Sequence, residues 1–287
     1  MKLKTAKYLL AAILLASAAG ISAAGYECLP TDSATAVRIL ERAVTGNRTG
    51  MGAQIRKTAE GFVGAPYRGG TLEGEPEMLR INLAEFDCTT FVESILALCR
   101  TAAEGGTEFG QFASTLASIR YMEGESDRYT KRLHYFSQWI RQNAAQGVIE
   151  EIIPAGIVVC ETKKIDFMSM HANLYPALGE KSLTDEIART EEMLSRDTVC
   201  FIPKEKIPQL KKGDIRDGDI IAIVTAKKGL DITHVGFAAI LDGEPHLLHA
   251  SSAAEKVILD PRTMHEYLMH YTSHRGIRIL RPTEPQK

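Results

Sequence analysis

Residues 233–250 read Thr-His-Val-Gly-Phe-Ala-Ala-Ile-Leu-Asp-Gly-Glu-Pro-His-Leu-Leu-His-Ala. Thr233, Val235, Phe237, Ala239 and Leu241 alternate with His234 and Gly236, the period of a strand with one apolar face. Asp242-Gly243-Glu244-Pro245 is turn chemistry, so 246–250 is expected to return as the hairpin partner. Outward from this hairpin, 219–226 is a short β-rich run, and 256–259 and 276–280 add further strands. Upstream the period changes. Residues 34–44, 51–63, 88–100, 109–122, 134–145 and 185–197 carry apolar side chains at helical spacing. Helices early and antiparallel strands late predict an α+β fold with a sheet of five or more strands, not a doubly wound one.

Among the helices, 88–100 is apolar on nearly every side, with Phe91, Val92, Ile95, Leu96, Leu98 and Cys99, and is expected at the centre of the core. It opens with Asp87-Cys88-Thr89-Thr90-Phe91-Val92-Glu93, where Thr90 and Glu93 have the spacing of a capping box. A thiol at a helix start sits against unpaired N–H groups and the positive end of the helix dipole. Both lower its pKa and offer donors to an oxyanion, which is what a nucleophilic cysteine requires. Such a nucleophile needs a base, and the base needs a group that orients it. His234 and His249, on neighbouring strands of one hairpin, can stand side by side on one face. Gly236, two residues beyond His234, leaves room for a close approach.

The chain has 287 residues, 45% hydrophobic and 24% charged, which excludes wholesale disorder. Its net charge of −2 gives no basic excess for nucleic acid or an anionic membrane surface. Lys2, Lys4 and Lys7 precede an apolar run of about a dozen residues, and Ser22-Ala23-Ala24 offers a cleavage site. Residues 1–24 therefore read as a secretory signal, too short for a membrane anchor. The remainder, 25–287, is expected to form one catalytic domain with an insertion at about 123–207, exported to the periplasm or beyond. Five cysteines, Cys28, Cys88, Cys99, Cys160 and Cys200, leave one unpaired. With one kept free, the other four allow three disulfide connectivities.

No Cys-x-x-Cys pair marks a zinc site, and His265 and His270 are spaced too far apart in a helix to share a metal. No motif calls for a cofactor. Glu191 and Glu192 read as a solvated helix face. No Gly-x-Ser-x-Gly elbow is present for a serine hydrolase.

Asp-Cys at a helix start, Gly218-Asp219-Ile220, His234-Val235-Gly236 and His249-Ala250-Ser251 resemble, in that order, the papain-like NlpC clan of cell-wall peptidases. Pro66-Tyr67-x-Gly-Gly-Thr71-Leu72-Glu73, Asp87–Glu93 and Leu133-His134-Tyr135-Phe136-Ser137-x-Trp139-Ile140 resemble its secreted N-acetylmuramoyl-L-alanine amidase-like branch. The resemblance runs from about Ala34 to Leu280. It implies an NlpC-type core and a Cys88, His234 and His249 catalytic set. Tyr67 would aim its hydroxyl at the same centre. It also implies cleavage of the amide between muramic acid, in an anhydro form, and L-alanine in muropeptides. Candidate substrate contacts are Arg68, Glu73, Asp87, His134, Trp139 and Ser251. Arg68 suits a peptide carboxylate, and the Trp139 ring suits a sugar face. Two alternatives stay open: cleavage after D-glutamate in the stem peptide, and a non-catalytic muropeptide-binding protein.

Overall fold

The computed structural model describes residues 25–46 and 50–285, with the backbone alone of Gly20 and Ile21. The expected signal segment otherwise lies outside the described residues. Among these, no helix is long and apolar enough to cross a membrane.

Two short strands, β1 (Gly20–Ile21) and β2 (Tyr26–Cys28), lead into α1 (Pro30–Thr45). The helix begins earlier than its apolar spacing predicts. Pro30 fits a first helical position, and the Leu29 N–H donates to Asp32 Oδ2 at 2.9 Å. Then come α2 (Met51–Glu60) and β3 (Leu79–Ile81), which pairs in parallel with β2. Next is α3 (Cys88–Ala103), whose residues from Thr90 to Ala102 are all buried. As expected, this helix is the centre of the larger core. Phe86 meets Phe91 edge-on at 5.6 Å, and Phe91 meets Phe237 at 5.8 Å. Each such buried aromatic contributes about 2–3 kcal/mol of transfer free energy. Helix α4 (Phe109–Arg120) packs on α3 and inserts the Arg120 guanidinium beside Glu93 at 2.6 Å.

The middle region supplies α5 (Phe136–Ala145), β4 (Ile149–Ile152), β5 (Val159–Thr162), α6 (Phe167–Met170), α7 (Lys181–Ser195) and β6 (Thr198–Pro203). Helices α5 and α7 correspond to the expected 134–145 and 185–197, but α6 and the three strands were not predicted. The strands are short, and β4 and β5 are half open to solvent, so no clean alternation marks them. Glu191 on α7 is buried, not solvated, and accepts from the Tyr135 hydroxyl at 2.6 Å and the Ser169 N–H at 2.9 Å.

The C-terminal part is β7 (Ile220–Thr225), β8 (Ile232–Leu241), β9 (Glu244–Ser251), β10 (Lys256–Thr263), α8 (Met264–His270) and β11 (His274–Pro282). The main sheet runs β10-β9-β8-β7-β11-β6-β5, with β4 also on β11. Every pairing in it is antiparallel. The mixed α+β architecture is as the sequence predicts. The β8–β9 turn is tighter than expected. Asp242 and Gly243 both have positive φ, at 50° and 89°, and Pro245 already lies in the strand opposite Ile240.

One expectation fails in an informative way. The sheet is apolar on both faces, not one. Val235, Phe237, Ala239 and Leu248 face the α3 core, while Ile221, Ala238 and Leu247 face a second core with Met264, Tyr267 and Leu268 of α8. Cys160 and Cys200 stand directly opposite across β5 and β6 and form the disulfide, while Cys28, Cys88 and Cys99 are free.

Candidate active site

Cys88 is the first residue of α3, and Asp87 is its cap. The Asp87 carboxylate accepts the Thr90 N–H at 2.8 Å, and the Thr90 hydroxyl accepts the Asp87 N–H at 2.9 Å. The reciprocal pair is therefore Asp87 with Thr90, not Thr90 with Glu93. Glu93 is spoken for by Arg120 in the core. Asp87, expected as a substrate contact, caps this helix.

The half-buried Cys88 sulfur lies 4.0 Å from Thr89 Oγ1, and the backbone N–H groups of Val235 and Thr89 are near enough to oppose the rise of its pKa. The influence of Val235 places the helix start near β8, next to His234 in sequence. Strand β8 bulges at this point. Ile223 pairs with His234, but Val224 pairs with Ile232, which leaves Thr233 extra. A bulge re-aims the side chains beside it.

His234 Nε2 lies 2.5 Å from His249 Nδ1, and the two rings meet edge-on. Gly236 makes this contact possible. A Cβ there would fall 2.8 Å from His249 Cβ, so only glycine lets the neighbouring strand bring His249 in. The close approach expected at Gly236 from a helix or substrate is instead made by the neighbouring strand β9. Burial is graded along the pair. His234 is partly open, whereas His249 is 1% exposed.

The charges do not match the expected pre-formed thiolate. Burial, followed by the Asp87 carboxylate, pushes the Cys88 thiol up to about 12, against the smaller lowering by its N–H and hydroxyl partners. Burial, then His249 and His274, pushes His234 well below its ordinary value. The resting arrangement is a neutral thiol with a neutral imidazole. The cap that organises the helix start places a carboxylate where it opposes a second negative charge.

Tyr67 bridges to Phe86, immediately before Asp87. Burial raises its phenol pKa, and the nearby Cys88 and Asp87 raise it further, so the hydroxyl remains a proton donor near the sulfur. Arg68 is largely exposed and pairs with Glu85 at 2.9 Å. Glu73 pairs with the buried Arg132 at 2.8 Å. His134 Nε2–H donates to the Tyr129 carbonyl, 2.8 Å away, and burial, then the Arg132 charge, lowers its pKa to about 3.

Two candidates belong to the scaffold instead. Trp139 is fully buried and stacked on Phe136 at 4.6 Å, so its ring offers no face to a sugar. Ser251 is 6% exposed and accepts the Ala254 N–H at 3.2 Å inside the β9–β10 turn.

Sequence reasoning missed the groups behind His249. Asp260 Oδ2 lies 3.8 Å from His249 Nε2, and Arg262 clamps the same carboxylate at 2.9 and 2.7 Å. The Tyr267 ring stands edge-on to His249 at 5.4 Å and lies under the Arg262 guanidinium at 4.9 Å. Nothing distinguishes Asp260 among 36 acidic residues. For α8 a signal existed: Thr263 and Glu266 form a capping box. Among the described residues, no three His, Cys, Asp or Glu side chains are grouped to hold a metal ion.

Fold and site together define an α+β protein with a thiol at the start of an interior helix and a linked imidazole pair on two strands of its main sheet. The chain belongs to the AmiA-like family, described as N-acetylmuramoyl-L-alanine amidase-like, which matches residues 57–277. It is similar to an N-acetylmuramoyl-L-alanine amidase from Bacteroides uniformis ATCC 8492, at 35% identity and TM-score 0.77, over 81% of this chain and 99% of that one. A Bacteroides fragilis structure described as a putative xylanase is 38% identical, with TM-score 0.73, over 78% of this chain and 99% of that one. A Legionella pneumophila protein of the DUF1460 family shares the fold at 20% identity and TM-score 0.66, over 90% of this chain and 96% of that one. No curated protein matches.

Proposed function

We propose that this protein is a cysteine amidase that cuts the amide between anhydro-N-acetylmuramic acid and L-alanine in peptidoglycan fragments. We place it in an exported compartment after loss of residues 1–24, and read its core as papain-like of the NlpC type. Family membership supports an amidase. The observation that supports the cysteine mechanism is Cys88 at the start of α3, with its pKa influenced by Val235, the residue next to His234 of the linked His234–His249 pair.

His234 spends Nε2 on His249, which leaves Nδ1 for the thiol proton. Proton transfer to Nδ1 accompanies attack of sulfur on the lactyl carbonyl, since neither partner is charged at rest. The oxyanion is met by the Cys88 N–H at the start of α3 and the Tyr67 hydroxyl. His234 returns the proton to the leaving nitrogen, the C–N bond breaks, and the stem peptide departs with a free amine. Water, deprotonated by His234, then opens the thioester and restores the thiol. Arg68 and Glu73 lie on the loop that carries Tyr67 and are proposed to meet the peptide. His134 is proposed as an uncharged contact, kept neutral by its burial. A xylanase reading would need two acting carboxylates, whereas Asp87 is engaged as the α3 cap and Asp260 is clamped by Arg262.

The test is turnover of a defined anhydro-muropeptide by the parent and by Cys88→Ala. The proposal expects a fall of more than a thousandfold with unchanged circular dichroism. Equal rates in the two proteins would refute it.

A further inference from the structure

We infer that Asp260 is a positioning residue that sets the protonation pattern of both histidines, so that the nitrogen left to Cys88 is a bare base. This rests on the Cys88–His234 reading above. The carboxylate is 1% exposed, and so is the His249 ring it faces. At 3.8 Å the contact is too long for a full hydrogen bond, yet His249 Nε2 is buried with no closer partner.

Asp260 is held in this place by the strand and by charge. The β9–β10 register runs regularly through His249 opposite Ile258, then breaks between Leu259 and Thr263. The break falls across Asp260-Pro261-Arg262, and Pro261 has no N–H to restore the ladder. Arg262 folds back to clamp Asp260 through its backbone N–H at 3.0 Å and its guanidinium. His246 Nδ1 meets the Asp260 carbonyl at 3.1 Å. Burial would raise the Asp260 carboxyl, but Arg262 and His249 outweigh it and hold the group well below the usual carboxylate range. Asp260 is therefore an anion, able only to accept.

The rest follows by elimination. A carboxylate that only accepts favours the His249 proton on Nε2, the nitrogen that faces it. His249 Nδ1 is then a lone pair, and it accepts from His234 Nε2–H across 2.5 Å. His234 Nδ1 is left without a proton. When it takes the thiol proton, positive charge spreads toward His249, and the Asp260 carboxylate lies at the far end to stabilise it.

The experiment is nitrogen-15 NMR of the folded resting protein with labelled histidine, paired with the rate at which iodoacetamide alkylates Cys88 at pH 7. The parent is expected to show His249 and His234 each protonated at Nε2 alone. Asp260→Asn, which keeps the volume, is expected to mix the His249 tautomers and slow alkylation at least tenfold. Arg262→Met loses the clamp but keeps the carboxylate, and is expected to keep the parent tautomers. Unchanged tautomers in Asp260→Asn would overturn the inference. So would equal disturbance in Asp260→Asn and Arg262→Met, because that marks a purely structural role. Both readouts are taken without substrate, so a failure of the amidase reading shows elsewhere, as absent turnover by the parent.

Discussion

Gly236 has no side chain, and that single absence sets the distance between two imidazoles on neighbouring strands. Gly236→Ala would push a methyl group against His249 Cβ. We expect a destabilisation of about 1–3 kcal/mol and a loss of at least tenfold in kcat, read by chemical denaturation and by steady-state kinetics. At this scale the sequence was legible where residue types are scarce and their neighbours informative. A cysteine at a helix start and two histidines on one hairpin stood out for that reason. Asp260 did not, because its role depends on a break in strand register that no local pattern announces. Trp139 was misleading in the opposite sense, since a tryptophan suits a sugar site and a helix core alike. The acid side of the pH profile also belongs here. His234 remains neutral well below its ordinary value, so kcat/KM should hold as the pH falls through 6.5 and drop only under it. A drop centred at 6.5 or above would contradict that placement.

Helix α3 shows how one cap serves two ends in tension. Asp87 organises the first turn, and its charge raises the pKa of the thiol it positions. Asp87→Asn keeps a good cap and removes the charge. Its Cys88 should alkylate faster than the parent at pH 8, with stability within about 1 kcal/mol, checked by iodoacetamide kinetics and thermal melts. Asp87→Ala should cost about 1 kcal/mol or more through the lost cap. Deeper along the same helix, Glu93 and Arg120 are each 2% exposed. Glu93→Ala would strand a buried guanidinium and should cost about 3–5 kcal/mol. The existence of α3 and of the β8–β9 hairpin was plain from periodicity and from Asp242-Gly243. Helix α3 starts at Cys88 as expected but runs on to Ala103, and β9 begins at Glu244, two residues before the expected His246.

Across the whole molecule, the sheet is covered on both sides, and strands from the middle of the chain complete it through β11. That coverage was hidden from sequence reading because a strand buried on two faces loses its alternation. Burial also sets the response to acid. His134 and His274 have pKa values lowered to about 3 and about 4, and His234 is lowered as well. The unfolded chain binds these protons near pH 6.5 while the folded one refuses them. Each ring therefore withdraws up to about 1.4 kcal/mol of stability per pH unit below that point. Melting temperature should fall between pH 6.5 and 5. The raised Glu77, Glu93 and Asp219 act in the opposite sense as the pH drops further. The disulfide closes a separation of 40 residues, worth up to about 4 kcal/mol by loop closure, so Cys160→Ser with Cys200→Ser should melt lower.

The bond that breaks decides the matter most directly. A synthetic anhydromuramoyl tetrapeptide, incubated with the parent protein and resolved by mass spectrometry, should give free anhydromuramic acid and an intact peptide beginning with L-alanine. A sugar still bearing L-alanyl-D-glutamate, or the same two products formed at full rate by Cys88→Ala, would contradict the account.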